Sequence, residues 1–215
     1  MTTSMTDYYQ ARAHEYESVY DKPERQEDLH KLRAWLAEEA RGRTVLEIAC
    51  GTGYWTAVAA GTASAIVATD LNAGPLEIAR AKGLGSHVRF DQADAFALPD
   101  YGVPFDAAMA NFWWSHVPIA DQQRFLGHFA SKLGPRAKLL MIDNNYVPGS
   151  STPVSRKDAL GNTYQVRHLE GGADYEVLKN FPTTAELQSA FGGICDRIDV
   201  LQLPHYWALS ATLAE

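Results

Sequence analysis

The sequence predicts an α/β chain built on a doubly wound, mostly parallel sheet of seven strands. Three observations carry this. Short apolar, β-prone runs alternate with helical periods from residue 45 to residue 143. Three of these runs close on carboxylates in succession, Glu47, Asp70 and Asp94, and open α/β sheets bind ligands beyond such carboxyl ends. The last two runs, 198–203 and 206–213, are joined only by Pro204 and His205. So short a link makes an antiparallel hairpin, because parallel strands need a long crossover.

Residues 7–20 read as a helix with Tyr8, Arg12, Tyr16 and Tyr20 on one face, Asp7 capping it and Asp21-Lys22-Pro23 ending it. A tyrosine stripe at this spacing serves packing or a ligand. Residues 24–40 form a second helix with Leu29, Leu32, Trp35 and Leu36 inward. Then comes VLEIACGTGYWT, residues 45–56, which reads as a buried strand, a tight glycine turn and the start of a helix. Glu47 stands near the strand's end, where its acceptor oxygens suit an ammonium or hydroxyl group. The Lys-Ser/Thr ending of a triphosphate loop and the complete G-x-G-x-x-G are both missing.

E-x-A-C-G-T-G between a strand and a helix resembles the first motif of class I S-adenosylmethionine-dependent methyltransferases. The resemblance implies a Rossmann-like fold and S-adenosyl-L-methionine as cofactor. It places the turn (Ala49, Gly51, Gly53) under the methionine half, with Glu47 addressing the amino group. It also implies that A-x-x-Y-[DE]-x-x-Y, matched by residues 13–20, is a lid in which Arg12, Tyr16 and Tyr20 meet the cofactor. Tyrosine rings there attract a sulfonium charge.

The strand at 65–69 ends on Asp70, 23 residues after Glu47. A carboxylate at this distance from a glycine turn accepts ribose hydroxyls in any adenosine site; Leu71 then packs on the adenine. After the strand at 87–90, Asp94 and Ala95 resemble the pair that meets the adenine amino group and a ring nitrogen. A fourth strand, 107–111, runs into Asn111-Phe112-Trp113-Trp114-Ser115-His116. In the family the acceptor lies beside this loop. Asn111 and Phe112 are placed at the cofactor's amino group, and Trp113 and Trp114 at the acceptor, although adjacent side chains on an extended chain face opposite ways. The N-P-P-[YFW] signature of amino-methylating enzymes is absent, so that activity is not carried over. His116 is the general-base candidate because its ordinary pKa lies near working pH, with Asp143 or Tyr146 orienting it or the acceptor.

Residues 121–133 form an amphipathic helix closed by Gly134-Pro135, and 137–142 the fifth strand. The alternation then breaks off. Residues 147–180 are polar and turn-rich, with strand-like pieces at 164–169 and 175–178, and a segment of this kind in a compact domain is often functional. It reads as a β-rich insertion over the acceptor, with Arg156, Tyr164, Arg167, His168 and Tyr175 as candidate lining. Thr183 or Thr184 caps a last helix, with Glu186 in its first turn.

The expected organisation is one methyltransferase domain over 1–215. Residues 1–40 supply N-terminal helices with a lid, 45–143 the cofactor core, 144–182 the acceptor-site insertion and 183–215 the last helix and hairpin. At 215 residues, 46% hydrophobic and 21% charged, one ordinary core is expected. A net charge of −7 without a basic cluster argues against nucleic acid. Cys50 and Cys195 are far apart, and no metal-ligand cluster, signal peptide or 18-residue apolar run appears. A cytoplasmic monomer or homodimer away from membranes is expected, methylating a flat, partly apolar or cationic metabolite. Two alternatives stay open: a non-catalytic protein that binds the same cofactor, and an NAD-dependent oxidoreductase, which position 56 (Thr, where a third glycine belongs) fits poorly.

Overall fold

A computed structural model describes residues 8, 9, 12, 15–168 and 172–215. Asp7, Ala13, His14 and Leu169, each part of an expectation above, lie outside the described residues. A seven-stranded sheet forms from β1 (Thr44–Glu47), β2 (Ala65–Asp70), β3 (Val88–Gln92), β4 (Phe105–Met109), β5 (Leu133–Asn144), β9 (Cys195–Gln202) and β10 (Tyr206–Leu213). Its order is β3-β2-β1-β4-β5-β10-β9, and β10 runs antiparallel to both neighbours. The parallel pairs join β1 to β2 and β4, β2 to β3, and β4 to β5. The doubly wound sheet with its terminal hairpin therefore stands as expected.

Helices cover both faces, which is why the central strands are apolar on both sides. One face packs α1 (Gln26–Glu39), α2 (Tyr54–Ala60) and α3 (Ala73–Ala81) through Leu29, Leu32, Leu36, Trp55 and Leu76 against Val45, Leu140 and Ile142. The other packs α4 (Gln122–Ala130) and α5 (Thr184–Phe191) through Phe125, Phe129, Leu187 and Phe191 against Leu46, Leu139 and Met141. Successive strand residues go to opposite clusters, the period of two that a pleated strand imposes. α5 starts on a reciprocal cap: Thr183 Oγ1 accepts from Glu186 N while Glu186 accepts from Thr183 N.

Two boundaries differ from the sequence reading. Tyr16–Tyr20 is a five-residue 3-10 turn, and Glu17 leaves it to accept from Thr52 Oγ1 at 2.6 Å and pair with Lys82. Gly134-Pro135 does not stop a helix; it lies inside β5. Between Phe105↔Leu133 and Ala107↔Lys138 the register jumps, and Arg136 takes φ +60°. The irregularity absorbs a proline that has no N–H for the ladder.

After β5 the chain forms a separate antiparallel sheet of β6 (Arg156–Lys157), β7 (Thr163–His168) and β8 (Asp174–Leu178). A buried ion pair and a buried amide tie it to the main sheet. Lys179 Nζ reaches Asp143 at 2.7 Å and Ser115 Oγ at 2.6 Å, and Asn180 N donates to Ser115 O. Among the described residues no helix is long and apolar enough to cross a membrane.

Candidate functional site

The glycine turn is held open by left-handed backbone. Ala49, Gly51 and Gly53 take φ of 48°, 55° and 78°, and the turn is pinned by Cys50 N to Thr69 O and Gly53 N to Cys50 O. A Cβ on Gly53 would sit 3.0 Å from Ala79 Cβ, so close packing of α3 requires glycine there. Gly51 has the opposite reason: nothing in the protein lies within 4 Å of where its Cβ would be, and it lines a cleft.

That cleft runs along the carboxyl ends of β1 to β4. Ala49, Gly51, Asp70, Leu71, Asp94, Ala95, Asn111, Phe112 and Trp113 line it. Asp70 does not cap α3; its two oxygens accept from Gly51 N at 2.9 Å and Asn72 N at 2.8 Å. Burial raises the Asp70 pKa, and those two N–H groups work against the rise. Asn111 is 7% exposed, yet neither amide atom finds a partner among the described residues. A buried orphan amide beside two carboxylates suits a ligand rich in donors, such as the diol, amino groups and ammonium of S-adenosylmethionine. The residues fit that cofactor.

Glu47 is placed elsewhere. It is 1% exposed beneath the turn, absent from the cleft lining, and accepts from Thr56 Oγ1 at 2.6 Å. Burial pushes its carboxyl up to about 8. Gly53 likewise supports the turn from behind. Arg12 and Tyr20, expected at the cofactor, line a second cavity instead, while Tyr16 lines both.

This second cavity lies between the N-terminal segment, the loop after β5 and β7. Tyr9, Tyr16, Phe112 and His116 belong to both cavities and form the wall between them. His116 is 7% exposed. Its Nδ1 lies 2.6 Å from Leu178 O, which can only accept, so Nδ1 carries the proton. Nε2 is therefore left to accept from Tyr9 Oη at 2.8 Å. Burial, with Lys179 adding and Asp143 opposing, lowers the imidazole to about 3.

The other acceptor-side expectations divide. Trp113 lines the cleft, but Trp114, which opens a 3-10 turn (Trp114–His116) rather than continuing a strand, is 1% exposed in the core against Phe191. Asp143 is fully buried and committed to Lys179 and Ser115 N, and it makes no hydrogen bond to His116. Tyr146 is 41% exposed against Phe181 and lines neither cavity. Arg156 pairs with Glu176 over the Tyr164 ring, Tyr164 donates to Asp158, and His168 pairs with Asp174. None of these three lines a cavity, because each finds its partner within the small sheet or its flanking loop. Tyr175 packs on Tyr8 behind the wall. The sequence reading missed Tyr9, Lys22, Arg25, Gln165 and Lys179. Tyr9 sits one residue off the tyrosine stripe, and the rest are scattered over the chain without a local pattern.

The geometry defines a Rossmann-like cleft that shares a wall with a second cavity. Residues 45–136 match the model of a methyltransferase domain. A demethylmenaquinone methyltransferase of Thermus thermophilus is 32% identical over 135 residues, 61% of this chain and 57% of that protein. The ubiquinone/menaquinone biosynthesis C-methyltransferase UbiE of Escherichia coli O1:K1 / APEC is 31% identical over 147 residues, 61% of this chain and 58% of the relative. The chain thus spans somewhat over half the length of these curated relatives. Among solved structures, a DhpI-SAM-HEP complex superposes with a TM-score of 0.79 at 27% identity, covering 98% of this chain and 99% of that one. The corresponding DhpI-SAH complex gives 0.77. These likenesses mark residues 45–136 as similar to a methyltransferase domain, in a chain whose fold is shared with the DhpI complexes.

Proposed function

We propose that the protein transfers the methyl group of S-adenosylmethionine to a small-molecule acceptor, leaving S-adenosylhomocysteine. The observation that supports this reading best is the shared wall. A donor-seeking cleft and a second cavity meet across Tyr9, Tyr16, Phe112 and His116, where a methyl donor and an acceptor atom would face each other. When bound, the cofactor supplies an electrophilic sulfonium methyl and its own leaving group. The protein's task is then to align the acceptor and exclude water.

In this reading Asp70 holds the ribose hydroxyls, Asp94 the adenine amino group, and the turn at Gly51 lets the backbone approach. The backbone at Asn111 and Phe112, with the orphan Asn111 amide, faces the methionine end. Tyr16 and Phe112 present ring faces and edges at the wall. His116 and Tyr9 orient the acceptor, and with Nε2 held by the Tyr9 hydroxyl and the imidazole lowered to about 3, His116 acts by positioning and not as a base. The enzyme is read as cytoplasmic, a monomer or homodimer acting on a metabolite away from membranes, and the net charge of −7 accords with the absence of a nucleic-acid partner. The relatives' names point to quinone rings, and such acceptors belong in the first panel.

Isothermal titration with S-adenosylhomocysteine, with NAD as the matched control, tests the cofactor. Micromolar binding of the former alone is expected. Asp70→Asn, which keeps the side chain's shape, should weaken it by about tenfold or more, the loss of charge-assisted hydrogen bonds. NAD binding in its place would sink the reading.

A further inference from the structure

The second cavity has a charge that the rest of the chain does not. In a protein of net charge −7, Arg12, Lys22, Arg25, Arg167 and Lys179 all line it, and no carboxylate among the described residues does. Lys179 is neutralised by Asp143. The other four form no ion pair among the described residues. Their hydrogen bonds go to neutral oxygens. Arg12 donates to Tyr8 Oη, Lys22 to Ser150 O, Arg25 to Ser150 O and Oγ, and Arg167 to Thr152 Oγ1 and Gln165 Oε1. Glu24, exposed outside the cavity, accepts from Ser150 Oγ, and its charge partly offsets those of Lys22 and Arg25 without an ion pair to either.

We propose that this cavity is an oxyanion subsite, in which Arg25, Arg167 and Lys22 grip the carboxylate, phosphonate or phosphate of a small anionic acceptor. Like charges gathered in a partly buried space repel one another, so the cluster is costly unless an anion completes it. Its members feel each other. Burial lowers the Lys22 pKa first, and the Arg25 charge lowers it further. Arg25 is 7% exposed and its Nε finds no partner among the described residues, a donor held dry without an acceptor. Arg167 is steadied by neutral groups on two of its nitrogens and keeps N–H donors to spare. Planar guanidinium forks match the oxygens of carboxylate or phosphonate in pairs. A quinone ring offers these donors no charge to meet and a cationic amine is repelled by them, so in this proposal the expectation of an apolar or cationic acceptor gives way to an anionic one. Because Tyr9, Tyr16, Phe112 and His116 close the cavity on the cofactor side, an acceptor anchored by its anion points its remaining atoms at that wall.

The word acceptor rests on the methyl-transfer reading; the oxyanion subsite does not. The test is binding of phenylphosphonate and benzoate against neutral benzamide to the full chain, by titration or ligand-observed NMR, with and without S-adenosylhomocysteine. Saturable binding of one anion, weakened by added salt and at least about tenfold tighter than benzamide, is expected. The phosphonate-to-carboxylate ratio tells which oxyanion the site prefers. Arg167→Gln should lose about tenfold in anion affinity, with Arg167→Lys retaining part of it, while S-adenosylhomocysteine affinity stays within about twofold. Lys22→Met provides a second, half-buried position should Arg167 prove necessary for folding. Benzamide binding as tightly as the anions, or anion affinity untouched in both Arg167→Gln and Lys22→Met, overturns the proposal. Anion binding by a chain that ignores S-adenosylhomocysteine upholds the subsite and removes the methyl-transfer reading instead.

Discussion

His116 should remain a neutral imidazole throughout the working pH range. Its pKa is lowered to about 3 by burial, by Lys179 and against the pull of Asp143. Adding a proton at pH 7 therefore costs about 5 kcal/mol, roughly four pH units at 1.36 kcal/mol each. The bonded geometry agrees, since Nδ1 must donate to Leu178 O and Nε2 is occupied by Tyr9. A general base so far below working pH is weak, and replacing a true base costs about 100-fold or more in kcat. His116→Asn should cost about tenfold or less, through lost positioning, and no inflection near pH 6.5 should appear in kcat.

The sign of the linked stability follows from the same shift. An unfolded chain has an ordinary imidazole near 6.5 and takes up acid first. The contribution of His116 to stability is thus whole above pH 6.5 and is lost as pH falls toward 3, by up to about 5 kcal/mol. Long-range 1H–15N spectra of the seven histidines, assigned by His116→Asn, read the tautomer directly. Urea titrations at several acid pH values read the linkage. A His116 ring that titrates near 6.5, or an acid limb of stability identical in His116→Asn, would refute the reasoning.

Glu47 works in the opposite direction, because burial raises its folded pKa from 4.5 to about 8. Its contribution is full below pH 4.5 and lost as pH rises through 8, so Glu47→Gln should flatten the decline of Tm between about pH 4.5 and 8; an unaltered decline across that window would contradict it. Lys179→Met leaves Asp143 charged and fully buried, and should cost about 3–5 kcal/mol by urea denaturation. Adding Asp143→Leu should recover most of that loss, and a double variant as unstable as the single would refute the stranded carboxylate as its cause. Two alanine substitutions in the turn should separate packing from ligand. Gly53→Ala combines a φ of 78° with a 3.0 Å approach to Ala79, so thermal unfolding should show more than the ~1–2 kcal/mol of left-handed strain. Gly51→Ala should show that strain alone, yet weaken S-adenosylhomocysteine binding in calorimetry.

The sequence by itself determined the sheet, its terminal hairpin and the cofactor cleft. Those features are local. A strand of Val45, Leu46 and Ile48 followed at once by Gly51 and Gly53, or a hairpin across Pro204 and His205, is fixed by neighbours in the chain. Asp70 and Asp94 were legible because parallel strands in register bring their ends to one edge. The helix end expected at Gly134-Pro135 failed because a register jump can house a proline inside a strand. Glu47 differed for a similar reason: its distance from the turn was readable, but not that Thr56 would hold it underneath. Trp114, Asp143 and Tyr146 were placed at the acceptor on position alone, and burial or partners took each away. Only the tertiary structure decided the second cavity. Lys22, Arg25 and Arg167 are up to 145 residues apart, on a turn, a helix start and an added strand. No spacing rule links such positions, and their shared charge emerges only when folding closes one cavity around them.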